Sequence, residues 1–174
     1  MKIIAFGGSN SQQSINKHLA TYAAGLIENG VVEVLDLNDF AMPLFSIDLE
    51  KEVGQHEKAK AFIAKLESAD ILVVSLAENN NNYSTAFKNI FDWSSRITKE
   101  VFQQKPMLLM ATSPGTRGGA SVLEIGRNAL PRYGADIKAT FSLPAFNANF
   151  DLEQNKILNA ELDKELRDLI KECF

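Results

Sequence analysis

Short apolar runs alternate along the whole chain with stretches that have a helical period. The apolar runs predict strands at residues 3–6, 31–37, 71–76, 107–111 and 137–143. Apolar side chains recur at helical spacing over residues 15–27, 59–66, 87–97, 122–130 and 158–170, which predicts a helix after each strand. This strict alternation predicts an α/β fold, in which a parallel sheet carries helices on both faces as a doubly wound three-layer sandwich.

The length and composition predict a single domain over residues 1–174. The chain has 174 residues, of which 45% are hydrophobic and 23% charged. Those proportions are ordinary for a globular protein, and a domain usually has roughly 100–200 residues. The least regular stretches are residues 38–54 and 144–154, which we predict to be excursions over the surface.

Charge and cysteine content restrict the partners and the compartment. The net charge is −4, which gives no electrostatic reason to expect nucleic acid or an anionic membrane as a partner. No apolar run approaches the length of about 18 residues that spans a bilayer. The apolar N-terminal stretch stops at Gly7, too early for a signal peptide. The lone Cys173 allows no internal disulfide, and we predict a cytoplasmic protein.

A ligand is expected where three polar loops follow strands. In an open parallel sheet, ligands bind outside the carboxyl ends of the strands, near the reversal of strand order. The loops at residues 7–16, 77–84 and 113–119 lie at those ends and are rich in Gly, Ser, Asn and Thr. They are therefore the candidate binding segments.

The first loop runs from a buried strand into a helix, whose N-terminus favours anions. Hydroxyl and amide side chains are available to phosphate oxygens, and the loop has no Lys or Arg. The alternative is an ordinary helix start capped by Ser14. Neither a Walker loop nor the dinucleotide glycine fingerprint is present. We therefore interpret Asp36 as a loop residue, and tightly bound NAD is disfavoured.

The other two loops offer amides and a flexible backbone. Four consecutive asparagines, residues 79–82, provide donors and acceptors for the edge of a planar heterocycle, although a solvated turn with a Ser or Thr cap is the alternative. In the third loop, three glycines in five positions allow close backbone approach to a flat ligand. Arg117 is interpreted as a solvated side chain rather than one that faces a ligand or a partner subunit.

Together, the three loops resemble the NAD(P)H-dependent FMN reductase family, which includes chromate and quinone reductases. Gly8-Ser9 with Ser14 and Asn16 match the family's first loop. Glu78 and Asn80, followed by Lys88-Asn89-Ile90-Phe91-Asp92-Trp93, match its second loop and the helix after it. Ser113-Pro114-Gly115 and Gly118-Gly119 match the third. The likeness spans roughly residues 3–135.

This resemblance implies a flavodoxin-like fold with five parallel strands in the order 2-1-3-4-5. It also implies FMN as cofactor, with NADPH or NADH as co-substrate. Hydride would pass to the flavin and then to a small acceptor such as a quinone, a free flavin or a metal oxyanion. The flavin carries the chemistry, so no catalytic side chain and no metal are expected. The implied FMN-binding residues are Ser9, Ser11, Gln13, Ser14, Ile15, Asn16, Ala77, Glu78, Asn79, Asn80, Asn81, Ser113 and Gly115.

Several positions depart from the family pattern. Ser11 stands where the family has a phosphate-binding arginine, and Ala77 and Asn79 replace a proline and a tyrosine. Loss of a charge-assisted contact weakens FMN binding by roughly 1.5–3 kcal/mol. These departures motivate one alternative, a binding protein that has lost its flavin. A separate alternative is a flavodoxin-like electron carrier that binds FMN but does not oxidise nicotinamides.

Other residues of chemical interest receive plain interpretations. His18 and His56 are expected at the surface because neither has an acidic or cysteine partner at ligand spacing. Trp93 is expected in the core or at a subunit interface. The resemblance implies a homodimer or homotetramer.

Overall fold

The main sheet has five long parallel strands, and their order confirms the predicted one. A computed structural model describes the whole chain, Met1–Phe174. The strands are β1 (Lys2–Gly8), β2 (Val31–Leu35), β3 (Ile71–Asn79), β5 (Lys105–Thr112) and β6 (Ala135–Leu143), and the short β4 (Asn82–Tyr83) pairs with the end of β3. They lie in the order β2-β1-β3-β5-β6 with parallel pairing throughout. Among the long strands this is the order 2-1-3-4-5.

Helices cover both faces of the sheet, as the alternation predicted. The helices are α1 (Ile15–Gly25), α2 (Ile47–Val53), α3 (Glu57–Glu67), α4 (Thr85–Ser95), α5 (Ala120–Ala129), α6 (Phe146–Asn149) and α7 (Ala160–Cys173). One core layer lies between the sheet and α3, α4 and α5, and the other lies under α1 and α7. None of the helices combines the length and the hydropathy needed to cross a bilayer.

Successive residues of the central strands point into opposite core layers. In β3, Leu72, Val74 and Leu76 pack under α4 and α5. Ile71 and Val73 of the same strand pack under α1. A strand buried on both faces needs apolar residues at nearly every position, which explains the almost unbroken apolar runs in the sequence.

The two segments predicted as surface excursions contain short regular elements, and most of their residues are exposed or half-buried. The first contains a 3-10 turn (Leu37–Phe40) and helix α2. The second contains α6 and a small antiparallel hairpin of β7 (Phe150–Asp151) and β8 (Lys156–Ile157). Phe40, Phe146 and Phe150 bury their rings in the two core layers. These elements are too short for sequence periodicity to reveal them.

The strand register brings the three candidate loops to one edge of the sheet. Gly8, at the end of β1, pairs with Leu76 of β3, and Ala77 pairs with Thr112 at the end of β5. The segments that follow these three strand ends are therefore neighbours in space. This places the polar loops where the topology predicts a ligand.

Candidate functional site

The ends of β1, β3 and β5 enclose a shallow polar cleft with a volume of about 180 Å³. Residues from all three predicted loops contribute to it. Ten of the thirteen predicted site residues line this cleft: Ser9, Ser11, Gln13, Ser14, Ile15, Asn16, Ala77, Glu78, Asn79 and Ser113. Thr112 and Pro114 also line it. Neither was among the predicted FMN-binding residues, although Pro114 lies within the predicted third loop and Thr112 directly precedes that loop.

The first loop presents neutral hydrogen-bond donors to the cleft. Ser14 caps α1, and its Oγ accepts from the backbone N–H of Lys17 at 3.1 Å. The hydroxyl proton of Ser14 remains available to a ligand. The backbone N–H groups of Gln13 and Ile15 donate to no group of the protein. Unpaired amides at a helix N-terminus form an anion site.

Asn16 directs its side-chain amide into the sheet. Its Oδ1 accepts from the hydroxyl of Ser75 at 2.7 Å and from the backbone N–H of Thr112 at 3.1 Å. Its Nδ2 donates to the carbonyl oxygen of Thr112 at 3.2 Å. The residue is 3% exposed. The amide therefore holds the start of α1 against β3 and β5. Asn16 contributes to the cleft by fixing the position of this helix start.

A second buried link joins the first two loops. Ser84 caps α4, accepting from the backbone N–H of Phe87 at 3.1 Å. Its hydroxyl donates to the carbonyl oxygen of Gly8 at 2.6 Å. The sequence indicated a serine or threonine cap here but gave no sign of the link to β1. Ser84 and Asn16 together fix the relative positions of the three strand ends.

The asparagine run forms a hairpin, and only its first residue lines the cleft. Asn79 pairs with Asn82 across the β3–β4 hairpin. Asn80 and Asn81 form the tip, both with positive φ, of 50° and 60°. Asparagine tolerates this left-handed region better than most residues. Asn80 and Asn81 are exposed and are not part of the cleft lining.

Two glycines of the third loop, Gly118 and Gly119, are packed so closely against the rest of the protein that a side chain would not fit. A Cβ on Gly118 would lie 2.4 Å from the Ser142 hydroxyl, and one on Gly119 would lie 2.9 Å from the Cβ of Ala111. Both glycines have positive φ. Packing and backbone conformation therefore account for these two glycines, and neither lines the cleft. Gly115 is free of such contacts but is exposed and outside the cleft lining.

The cleft has one ionisable side chain, and it is an acid. Glu78 accepts through Oε2 from the backbone N–H of Val122, in the first turn of α5, at 3.0 Å. Arg117 is exposed and donates to the Ser121 hydroxyl. Lys17 is paired with Asp36 at 2.7 Å, and this hydrogen bond holds the pKa of Asp36 below its usual value. No cation is therefore available in the cleft for a bound phosphate.

Four other residues considered in the sequence lie outside the cleft lining: Asp36, Trp93, His18 and His56. Asp36 accepts from the backbone N–H of Asn38 and so caps the 3-10 turn, as expected of a loop residue. Trp93 is fully buried, and its indole N–H donates to the carbonyl oxygen of Pro43 at 2.8 Å. His18 and His56 are half-buried, and His56 caps α3.

A second groove, of about 410 Å³, lies beside the cleft and shares Asn79 with it. Its apolar wall comes from the segment of residues 37–44 and from α4. Asn89 holds that segment on α4, because its amide donates to the carbonyl oxygens of Met42 and Pro43 and accepts from the N–H of Phe45. Asn89 and Trp93, recognised in the sequence as part of a motif, therefore shape this groove.

Comparison with known proteins relates the chain to flavoenzymes. A family described as NADPH-dependent FMN reductase matches residues 1–148. An NAD(P)H-dependent FMN reductase of Pseudomonas aeruginosa is 28% identical over 121 residues, and a 2-hydroxy-1,4-benzoquinone reductase of a Burkholderia species is 32% identical over 122. Each alignment covers 69% of this chain and only 64% of the relative.

The fold is also shared with a solved structure. A flavoenzyme NAD(P)H:(acceptor) oxidoreductase from Paracoccus denitrificans superimposes with a TM-score of 0.76 at 22% identity. The match covers 98% of this chain and 93% of that one. The similarity supports the fold assignment over nearly the full length.

Proposed function

The chain belongs to the NADPH-dependent FMN reductase family, and from that premise we propose that it is an NAD(P)H-dependent flavin oxidoreductase. It would bind FMN and transfer electrons from a nicotinamide to a small acceptor. The observation that supports this most directly is the convergence of three separate polar loops on one cleft at the carboxyl ends of β1, β3 and β5.

The donor chemistry of the cleft fits the phosphate of FMN. The amides of Gln13 and Ile15 and the hydroxyls of Ser9, Ser11 and Ser14 would hold it, while Asn16 keeps the helix start in place. A dianionic group at a helix N-terminus is stabilised by oriented N–H groups even without a cation. Because no arginine contributes, we expect weaker binding than where one does.

The ends of β3 and β5 would hold the ring system. Ala77, Glu78, Asn79 and Ser113 line the same cleft and would lie along the ring edge. Asn80, Asn81 and Gly115, which the resemblance also suggested, lie outside the cleft lining and would contact only a part of the ring that extends beyond it. The cleft alone is smaller than the roughly 300 Å³ at which ligand pockets begin, so we expect part of the ring to lie outside it.

When bound, FMN supplies hydride acceptance from the nicotinamide and transfer of those electrons to the acceptor. The residues of the chain bind and orient the reactants, and none has to exchange a proton with them.

The acceptor is proposed to be a small oxidised molecule. The relatives include quinone reductases, and the groove beside the cleft offers apolar surface from Phe40, Met42 and Leu44. We propose a quinone, a free flavin or a metal oxyanion as the acceptor, with NADH or NADPH as the electron donor.

The visible spectrum of the protein purified without added flavin tests the proposal. A flavin absorbance that bleaches with NADH or NADPH, and returns when a quinone is added, would support it. Bound flavin that neither nicotinamide bleaches would indicate the electron carrier instead. If micromolar protein does not quench the fluorescence of added FMN, the protein has lost the ability to bind flavin and the proposal fails.

The organisation of the protein is proposed in the same way. We propose one domain over residues 1–174, which acts as a homodimer or homotetramer with a small-molecule acceptor as its partner. We also propose a cytoplasmic location, where NAD(P)H is available. The single Cys173, half-buried and without a partner cysteine, is compatible with such a reducing compartment. Light scattering tests the oligomeric state, and cell fractionation tests the location.

A further inference from the structure

Glu78 differs from the rest of the cleft lining because it is the only charged residue there. Its side chain crosses from the end of β3 to α5, where Oε2 accepts from the backbone N–H of Val122 at 3.0 Å. Val122 is fully buried. The contact joins two elements that are 44 residues apart along the chain.

Helix α5 has no cap of its own. Its N-cap residue, Gly119, has a φ of 76° and offers no side chain, and the first turn contains no acidic residue. The first N–H groups of a helix lack partners within it and carry partial positive charge. The carboxylate of Glu78 provides both a hydrogen-bond acceptor and a negative charge at this end.

The neighbouring hairpin holds Glu78 in place. Glu78 pairs with Tyr83 across β3 and β4. The Tyr83 ring packs against Phe87, with ring centroids 5.2 Å apart, and its hydroxyl is buried. Because β4 is anchored in the core in this way, the end of β3 is held and Glu78 keeps its direction towards α5.

We propose that Glu78 is a positioning residue that sets both the geometry and the electrostatics of the cleft. By capping α5, the carboxylate holds the third loop, residues 113–119, beside the ends of β1 and β3. By neutralising the positive end of α5, it also prevents that end from stabilising negative charge in the cleft. FMN bound there is consequently harder to reduce than it would be beside an uncompensated helix. This inference rests on the proposed function.

Three variants separate the two effects. Glu78→Gln keeps a carbonyl acceptor for Val122 and removes the charge, whereas Glu78→Ala removes both. Glu124→Gln is the matched control, because Glu124 is on the exposed side of α5 and its side chain is 62% exposed. The measurements are amide hydrogen exchange in FMN-free protein, the FMN midpoint potential and the FMN dissociation constant.

In the FMN-free protein, we expect the amides of the first turn of α5 to exchange about fivefold faster in Glu78→Ala, as for the loss of a helix cap. Glu78→Gln, which keeps the acceptor but loses the charge, should speed that exchange less than Glu78→Ala does, and Glu124→Gln should leave it unchanged. With FMN, both Glu78 variants should show a more positive midpoint potential than the wild type. Glu78→Gln should bind the anionic cofactor about fivefold more tightly, since one negative charge is gone from the cleft.

Each possible failure has its own signature. Unchanged exchange in Glu78→Ala would overturn the capping role. A midpoint potential in Glu78→Gln equal to that of the wild type, or an equal change in Glu124→Gln, would overturn the electrostatic role. A wild-type chain that binds no FMN would overturn the proposed function and the electrostatic role together, while the exchange measurement still decides the capping role.

Discussion

Replacing Asn16 with leucine should destabilise the protein strongly whether or not FMN is present. The side chains are similar in size, but leucine makes none of the three hydrogen bonds that Asn16 makes to Ser75 and Thr112. Each hydrogen bond contributes about 1 kcal/mol, and each buried group left unpaired costs about 1–3 kcal/mol. Ser75 and Thr112 are both buried. We therefore expect a loss of about 3–5 kcal/mol, of a total stability of about 5–15 kcal/mol.

Urea unfolding of the FMN-free protein measures this loss. With a slope of about 2 kcal/mol per molar urea, the midpoint should fall by about 2 M. Gln12→Leu is the matched control, because Gln12 is exposed in the same loop and should change stability by less than about 0.5 kcal/mol. A double-mutant cycle of Asn16→Ala with Ser75→Ala should give a coupling of about 1 kcal/mol.

The same experiment distinguishes two roles for Asn16. A direct phosphate contact would make the Asn16→Leu variant stable without FMN but weak in binding it. An FMN-free Asn16→Leu protein within about 1 kcal/mol of wild type, together with no coupling to Ser75, would refute the role in the sheet.

Three further outcomes are expected. Ser11→Arg should lower the FMN dissociation constant by at least about tenfold in a fluorescence titration, because it supplies a charge-assisted contact; Ser11→Gln is the neutral control, and an equal effect of both would contradict a phosphate at this loop. Asn89→Ala should cost about 2–4 kcal/mol in urea unfolding, because its amide serves three backbone groups, and a loss below about 0.5 kcal/mol would contradict that role. Burial raises the pKa of Tyr22 to about 12 from 10.0, so the native state binds more protons than the unfolded state between these values and should lose stability as the pH rises from about 10 to 12. Tyr22→Phe should reduce this loss of stability. The remaining loss is due to Tyr83, because burial also raises the pKa of Tyr83 to about 12. An identical pH profile in Tyr22→Phe would refute the assignment.

The fold was predictable because it follows from burial. A strand covered on both faces has to be apolar at nearly every position, and a helix on the surface has to be apolar on one side, so the alternation is visible in the sequence. Short elements carry too little of either pattern. For that reason, the burial of Phe40 and Phe146 appeared only in the structure.

The position of the cleft between the three loops was predictable, but the direction of its side chains was not. Topology alone brings the polar loops together at the ends of the strands. Whether a polar side chain then faces the ligand or the protein depends on which groups lie behind it. Asn16 was expected to face a phosphate, yet its amide bonds to Thr112, 96 residues away. Glu78 likewise reaches Val122, and nothing in the local sequence indicates that contact.

The links made by Asn16 and Ser84 are buried and join groups of the protein to one another. The cradle is therefore preorganised, and little conformational entropy has to be lost when a cofactor arrives. Exposed positions such as Ser11 can then change without loss of the underlying shape. Affinity and specificity at this edge of the sheet are accordingly open to tuning by single substitutions, in evolution or by design.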